Sequence, residues 1–393
     1  MTRSSPFQAV MFTSVALGAL CAGAGTAQAQ FKQTDLVSDI PNLATTTDPM
    51  LKNPWGVSFA NGSPIWISQQ GTQTTPLFAV TGSTGVSPGQ KPVFTVNVPP
   101  AGASGPTGQV ANAGGMGFNV NGGNGAPAAF IFANLNGSIS AWNGTPLTQA
   151  FTQTSVAGAS FTGLAINKAD TELFAANTAG AGGIDVFNNA FQQITEPLGA
   201  FATPTAATGL VPFNVTDLGG NVFVTYAPSG HVPQTMATGG QGTVAEFTES
   251  GVLEKAFTNN ALASPWGVAI ASSSFGKFGG DLLVGNFSFV PGVADMINAF
   301  NPVTDAFEGS IEVNPGAGNT PGGLWSIVFG GGGMDGTPNT LFFTDGINGE
   351  TGGLFGSITA AVPEPSTWAM MLAGFGGLAF LAARRRRASP AIG

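Results

Sequence analysis

A pattern of short apolar strands repeats six times along this 393-residue chain, and the repetition limits the possible folds more than any other feature. Each unit spans roughly 50 residues and opens with an apolar segment, usually built around a glycine. The tetrapeptide Pro-Trp-Gly-Val occurs twice, at residues 54–57 and 265–268, in equivalent positions of the first and fifth units. The opening segments are predicted at Trp55–Phe59, Met116–Val120, Thr162–Ile166, Phe213–Val215, Trp266–Ile270 and Trp325–Phe329.

The second and third segments of each unit are also typical of strands. They are rich in aromatic and β-branched residues and end at turn-forming residues. The second segments are almost continuously apolar, which predicts burial on both faces, as in sheets stacked on sheets. These second strands are predicted at Ile65–Ser68, Phe130–Ala133, Leu173–Ala176, Val222–Thr225, Leu282–Gly285 and Leu341–Thr344. The third strands are predicted at Leu77–Val80, Ile139–Trp142, Ile184–Phe187, Val244–Phe247, Ile297–Phe300 and Leu354–Ile358.

A fourth, outer strand is visible in only five of the six units. These outer strands are predicted at Val93–Val96, Ala150–Thr152, Ile194–Phe201, Leu253–Phe257 and Ser310–Val313. A spare strand, Thr34–Ser38, lies at the other end of the chain. If it pairs with the sixth unit, it closes a ring and removes an exposed sheet edge. The sequence therefore predicts an all-β, six-bladed β-propeller over residues 30–360, closed by an N-terminal strand.

Residues 1–29 have the features of a secretory signal peptide. Arg3 precedes an apolar stretch at residues 9–24, and Ala27-Gln28-Ala29 forms a small-x-small cleavage site. Cys21 is the only cysteine and is expected to leave with this peptide, while Leu20 before it argues against a lipoprotein. The mature domain is then free of thiols, and its length is sufficient to bury a core without disulfides.

The C-terminal segment, residues 361–387, contains three ordered parts. Val362-Pro363-Glu364-Pro365 is followed by an uncharged stretch, 366–383, which is long enough to be a transmembrane helix. Arg384-Arg385-Arg386-Arg387 comes next and is expected to stay cytoplasmic, with residues 388–393 as a cytoplasmic tail. This order resembles the PEP-CTERM sorting signal of Gram-negative bacteria. The resemblance implies export, transient anchoring in the inner membrane and processing by an exosortase; a plain C-terminal anchor would give the two prolines no purpose.

The charge balance of the predicted mature domain excludes one class of partner. Between the terminal segments there are six lysines and nineteen acids, a net charge of −13. Nucleic acids and anionic lipids are bound by clustered Lys and Arg, so neither is expected as a partner of the folded domain.

A polar residue follows the second strand of every unit, and in a propeller these six positions form a ring. The residues of this candidate channel collar are Gln69, Asn134, Asn177, Tyr226, Asn286 and Asp345. One interpretation is a site for a cation or for sugar hydroxyls, since six-bladed lactonases hold a catalytic calcium in such a position. The other is that these side chains bond turn backbone. Calcium takes several carboxylate oxygens and the ring supplies only Asp345, so no metal is assigned and no cofactor is required.

Catalytic residue types are scarce, and the sequence assigns no catalytic residue. His231 is the only histidine, which excludes a two-histidine metal site, and it lies in a Pro- and Gly-rich excursion at residues 228–242. A solvated loop residue is expected there. Residues 345–350 are predicted to form a turn, because their spacing is not that of an EF-hand loop.

The repeats also resemble a family of uncharacterised, exported bacterial propellers, many of which end in this sorting signal. The resemblance lies in Pro265-Trp266-Gly267-Val268, in residues 283–287 and in Gly353–Ile358. It implies an architecture but no activity. We predict a non-catalytic binding or structural role at the cell surface or in the extracellular (biofilm) matrix, with exopolysaccharide or a matrix protein as partner. The alternative is a lactonase- or esterase-like hydrolase that uses a cation in the channel.

Overall fold

Most of the chain between the two terminal segments is described by a computed structural model. It describes residues 31–82, 95–99 and 104–361, and short helical stretches at 375–377 and 379–380. Residues 30–362 form one structural unit. The predicted signal peptide, the Pro-Glu-Pro motif and most of the predicted transmembrane helix lie outside the described residues. Within the described ranges, no helix is long and apolar enough to cross a membrane.

The chain enters its fold with a strand that pairs with the last strand of the propeller. Strand β1 (Phe31–Ser38) runs antiparallel to residues 354–360, from the pair Phe31–Ala360 to the pair Ser38–Leu354. A bulge interrupts this ladder at residues 35–37. Strand β2 (Thr46–Thr47) pairs in parallel with β1 at the sheet edge. The predicted ring closure by Thr34–Ser38 is therefore confirmed.

Six sheets follow one another along the chain, and four strands form the common unit. The first blade contains β3 (Pro54–Ser58), β4 (Ile65–Gln69), β5 (Thr74–Phe78) and β6 (Thr95–Asn97). The second contains β7 (Gln109–Ala111), β8 (Phe130–Ala133), β9 (Ser138–Trp142) and β10 (Phe151–Ser155). The third contains β11 (Phe161–Ile166), β12 (Glu172–Asn177), β13 (Gly183–Asn188) and β14 (Gln193–Ile194).

The remaining three blades repeat this arrangement, so the predicted six-bladed propeller is confirmed. The fourth contains β15 (Val211–Asp217), β16 (Asn221–Ala227), β17 (Thr243–Thr248) and β18 (Leu253–Thr258). The fifth contains β19 (Pro265–Ile270), β20 (Leu282–Asn286), β21 (Met296–Phe300) and β22 (Phe307–Glu312). The sixth contains β23 (Leu324–Phe329), β24 (Thr340–Asp345), β25 (Leu354–Ala360) and the closing strand β1. Helical segments are short: α1 (His231–Thr235), α2 (Ile347–Glu350) and single 3-10 turns at Thr205–Ala207 and Gly276–Phe278.

The predicted inner strand of the second blade, Met116–Val120, is wrong. The inner strand is β7, while Met116 is 74% exposed and Gly117 has a φ of +63°, a left-handed conformation foreign to strands. Contact with the third blade explains why the segment next to Gly108, and not the one around Gly117, forms the inner strand. A Cβ on Gly108 would lie 2.3 Å from the backbone nitrogen of Leu164, so only a glycine fits where these inner strands meet.

The outer strand predicted at Ile194–Phe201 is also wrong in extent. It ends at Ile194, because the chain turns away at Pro197 and leaves Leu198 fully exposed.

The close approach between blades that is seen at Gly108 also occurs at three other inner strands. A Cβ on Gly56, Gly163 or Gly267 would fall 2.1–2.6 Å from an atom of the following blade. Side chains then bond across the same junctions. The hydroxyl of Thr107 donates to the carbonyl of Phe161 at 2.8 Å, and that of Thr162 donates to the carbonyl of Phe213 at 2.7 Å.

The hydrophobic core is divided into layers between neighbouring blades. Six clusters of buried residues each combine side chains from two adjacent sheets, including the sixth with the first. Trp66 of the first blade, for example, stacks on Phe130 of the second with 3.9 Å between ring centroids. Second strands such as β4 and β24 are buried along their whole length, as their continuous apolarity predicts.

We expect Gly267→Ala to lower the free energy of unfolding by about 1–3 kcal/mol, the usual cost of overpacking. The added methyl would lie 2.4 Å from the carbonyl oxygen of Trp325. Gly183→Ala is the matched control, because its position has open space and an ordinary φ; it should be neutral or slightly stabilising. Urea unfolding of both variants tests this, and equal effects would contradict the close-approach argument.

Candidate functional site

The six predicted collar residues lie at the ends of the second strands, where they bond their own surroundings. Five are fully buried and Asn177 is half-buried. Gln69 accepts hydrogen bonds from the hydroxyls of Thr72 and Thr74, at 2.9 and 2.7 Å. The amides of Asn134, Asn177 and Asn286 bond neighbouring loop or strand groups in the same way. Among the described residues, no hydrogen bond joins one of these collar side chains to another. This holds for Gln69, Asn134, Asn177, Tyr226 and Asn286.

Asp345 differs from the other five, because it meets a second acid that the repeat pattern does not predict. Its carboxyl group interacts electrostatically with that of Asp295, which accepts the backbone N–H of Gly322 at 2.8 Å. Within the described part of the chain, neither oxygen of Asp345 has an N–H or hydroxyl donor. Burial raises the pKa of Asp295 to about 7, and burial with the Asp295 charge raises the pKa of Asp345 well above its usual range.

This carboxyl pair fits a shared proton better than a calcium ion. Calcium takes six to eight oxygen ligands, and the described residues bring together no group of three or more His, Cys, Asp or Glu side chains. Two buried carboxyl groups can instead share one proton, because two like charges at that distance cannot both persist.

Three tryptophans at the starts of inner strands close one end of the central channel. Trp55 stacks on Trp325 with 3.5 Å between centroids, and Trp266 meets both edge-on. Phe213 and Phe287 complete this tryptophan plug. The indole N–H of Trp266 donates to the carbonyl of Thr162 at 3.1 Å, which fixes the plug to the third blade.

A polar cavity of about 610 Å³, the mouth pocket, lies against this plug. Most of its wall consists of hydroxyl, amide and backbone groups, with Trp55 as an aromatic surface. Its lining residues are Asn53, Trp55, Gln70, Leu135, Ser160, Thr162, Thr178, Ala179, Gly180, Ser229, Gly230, His231, Gln234 and Glu350.

His231 and Glu350 meet in the mouth pocket and are the only ionisable side chains among its described lining residues. Nε2 of His231 lies 2.5 Å from Oε2 of Glu350, and the second carboxyl oxygen accepts from the amide of Asn53 at 3.1 Å. Asn53 in turn accepts the indole N–H of Trp325 at 3.0 Å, which connects the pair to the plug. The His231 side chain is 57% exposed and that of Glu350 only 11%, so the imidazole is the accessible end of this chain of contacts.

Burial sets the protonation of this pair. It raises the pKa of Glu350 to about 7 and lowers the pKa of His231. Both shifts favour the uncharged forms of the two groups, a neutral carboxyl beside a neutral imidazole.

Two irregular segments bring His231 and Glu350 together. The excursion at residues 228–242 is anchored to the fifth blade, where the hydroxyl of Ser264 donates to the carbonyl of Gln234 and that of Ser288 to the carbonyl of Ala237. Glu350 ends α2, in which residues 348, 349 and 350 all have φ values between +59° and +64°. Such a run is costly for non-glycine residues and tends to occur at functional sites.

The sequence predicts His231 in a loop but does not reveal its partner. Glu350 lies 119 residues away, in a segment predicted only as a turn. Neither residue belongs to the repeat, so no periodic signal connects them. The left-handed residues of α2 are the only local sign, since Asn and Gly at 348 and 349 favour that conformation.

We expect Asp345→Asn to stabilise the protein at pH 8 by about 1–3 kcal/mol while changing little at pH 5. The unfolded acids lose their protons near pH 4, whereas the folded pair keeps its proton up to about pH 7, so the wild-type protein loses stability as the pH rises through this window. Urea unfolding at both pH values measures the effect, with Glu254→Gln, an exposed acid, as control.

The result that would contradict a shared proton is a response to chelation. If EDTA lowers the wild-type unfolding midpoint and Asp345→Asn abolishes that response, a cation lies between the carboxyl groups.

Comparison with known proteins identifies the C-terminal signal and shows no functional relative. A family model of the PEP-CTERM protein-sorting motif matches residues 361–387, which include the Pro-Glu-Pro turn and the four arginines. No curated protein matches the chain.

Several solved structures are similar at low identity. Hydrazine synthase of Kuenenia stuttgartiensis is 14% identical, with 78% of this chain and 80% of that chain covered and a TM-score of 0.44. A streptogramin B lyase is 12% identical, with 84% and 97% covered and a TM-score of 0.48. A protein of unknown function from Bacteroides thetaiotaomicron is 11% identical, with 84% and 76% covered and a TM-score of 0.48. At these values the similarities carry no inference about function. The chain is thus a six-bladed propeller that carries a PEP-CTERM sorting signal, which implies export, transient membrane anchoring through the C-terminal region and processing by an exosortase.

Proposed function

We propose that this protein is a non-catalytic binding protein of the cell surface or extracellular matrix, and that its mouth pocket binds an uncharged polysaccharide. The observation that carries the proposal is the lining of that pocket. It combines neutral hydroxyl and amide side chains with a largely buried tryptophan in a cavity of about 610 Å³. That volume is within the range of small-ligand sites and holds one or two sugar rings.

The lining matches the chemistry of sugars. Sugar hydroxyls both donate and accept hydrogen bonds, as do the hydroxyls of Ser160, Thr178 and Ser229 around the pocket. Trp55 adds only a small aromatic surface to the pocket, since it is 4% exposed and stacks on Trp325.

Charge favours a neutral polymer over an acidic one. Burial lowers the pKa of His231 and so disfavours its charged form, which means that the pocket offers no fixed cation to a uronate or sulfate group. The net charge of −13 between the terminal segments adds long-range repulsion of polyanions. Export by the sorting signal would bring the domain to the compartment where exopolysaccharides accumulate.

The hydrolase alternative has less support from the described residues. It requires a cation in the channel, but the wall of the channel is largely aliphatic and the buried acid pair, Asp295 with Asp345, fits a proton better. We therefore retain the binding role as the proposal.

We expect the wild-type domain to be retarded in gels that contain neutral glucans, galactans or mannans, and Ser229→Trp to weaken this binding at least tenfold. Ser229 is exposed at the pocket, so an indole there fills the cavity without disturbing the core. Ser250→Trp, in an exposed turn of the fourth blade, is the control and should bind like the wild type.

Affinity electrophoresis followed by calorimetry with the best oligosaccharide provides the measurement. The proposal fails if no neutral glycan binds or if Ser229→Trp binds normally. Preference for an acidic glycan such as alginate would refute the charge argument.

A further inference from the structure

The central channel beyond the tryptophan plug is a second, chemically different cavity. The six inner strands β3, β7, β11, β15, β19 and β23 surround about 700 Å³. Trp266 lies at the plugged end, whereas Trp55 of the same plug faces the mouth pocket. The plug thus stands between a polar cavity and this channel.

The blades place aliphatic residues at one equivalent position beside the channel, packed largely between neighbouring blades, and Ser58, Thr216 and Ser326 also line the wall. The residue after the close-contact position is Val57, Leu164, Val215, Val268 or Ile327 in five blades. In the second blade it is Gln109, but its amide donates to the carbonyls of Gly56 and Trp66.

Asn214, the other amide of the wall, donates to the carbonyl of Trp266 at 2.8 Å. Both wall amides therefore have their N–H groups bonded to neighbouring backbone, which leaves fewer donors for a ligand or for water.

The open end of the channel is also apolar. Phe59, Ile166, Leu218 and Phe329 are partly exposed there, and Ile270 is 41% exposed. Among the described lining residues Asp217 alone is ionisable, and its carboxyl faces Glu249 and the backbone N–H of Gly220. The described wall thus offers no Lys, Arg or His to neutralise an anionic head group.

We propose that the channel is a binding site for one uncharged apolar molecule, of the size of a long alkyl chain or a fused aromatic. A cavity of about 700 Å³ lies within the range of such ligands. Water that lies against the apolar residues of the open end has few partners there, so its displacement by an apolar group is favourable. This site is independent of the polysaccharide proposed for the mouth pocket.

The test uses two probes that share one skeleton. N-phenyl-1-naphthylamine is neutral, and 1-anilinonaphthalene-8-sulfonate adds one negative charge. We expect the neutral probe to bind the propeller domain with one-to-one stoichiometry and the sulfonate to bind at least tenfold more weakly. Fluorescence titration measures both affinities.

Two channel variants and one surface variant locate the probe. Ile270→Trp at the partly exposed rim and Val57→Trp on the wall should each weaken binding of the neutral probe at least tenfold. Val303→Trp, in a turn where the side chain is 85% exposed, should bind like the wild type. Ile270→Trp adds no bulk to the buried core, so it serves if Val57→Trp does not fold.

Three outcomes would overturn the inference: no saturable binding of the neutral probe, equal affinity for the sulfonate, or unchanged binding by both channel variants. Because Ser229→Trp should leave probe binding intact, failure here is separable from failure of the proposed glycan site.

Discussion

The whole architecture depends on how closely neighbouring inner strands approach one another. At Gly56, Gly108, Gly163 and Gly267 there is no room for a Cβ beside the next blade. The carbonyls exposed by this approach are taken up by side chains of adjacent blades, as Thr162 does for Phe213. These contacts set the radius of the ring. They therefore also set the width of the channel and the number of blades that close around it.

Closure and the plug follow from this ring. Strand β1 pairs with β25 and covers the edge that a linear stack of sheets would leave open. Because the inner strands converge, large side chains at their starting ends must meet across the axis, and Trp55, Trp266 and Trp325 do so. Their indoles replace water at the axis and divide it into two compartments. One wall of the mouth pocket is thus a product of ring geometry, while its other walls come from segments outside the repeat.

The sequence is most informative where a strand is buried on both faces. The second strands are predicted within one or two residues, because an uninterrupted apolar run bounded by turn formers at this spacing is typical of a buried strand. The inner strand of the second blade is predicted wrongly because Gly108 and Gly117 both lie in plausible segments, and only contact with Leu164 distinguishes them. The meeting of His231 with Glu350 could not be predicted, since it joins two irregular segments that carry no period. Asp295 escapes prediction for the same reason.

The low charge of the chain is consistent with this division of the axis. Only 8% of the residues are charged. Burying a charge without a partner would cost several kcal/mol. Four of the buried or half-buried ionisable groups accordingly occur in pairs, His231 with Glu350 and Asp295 with Asp345. The two proposed ligands would accordingly be recognised by neutral hydrogen bonds on one side of the plug and by apolar contact on the other.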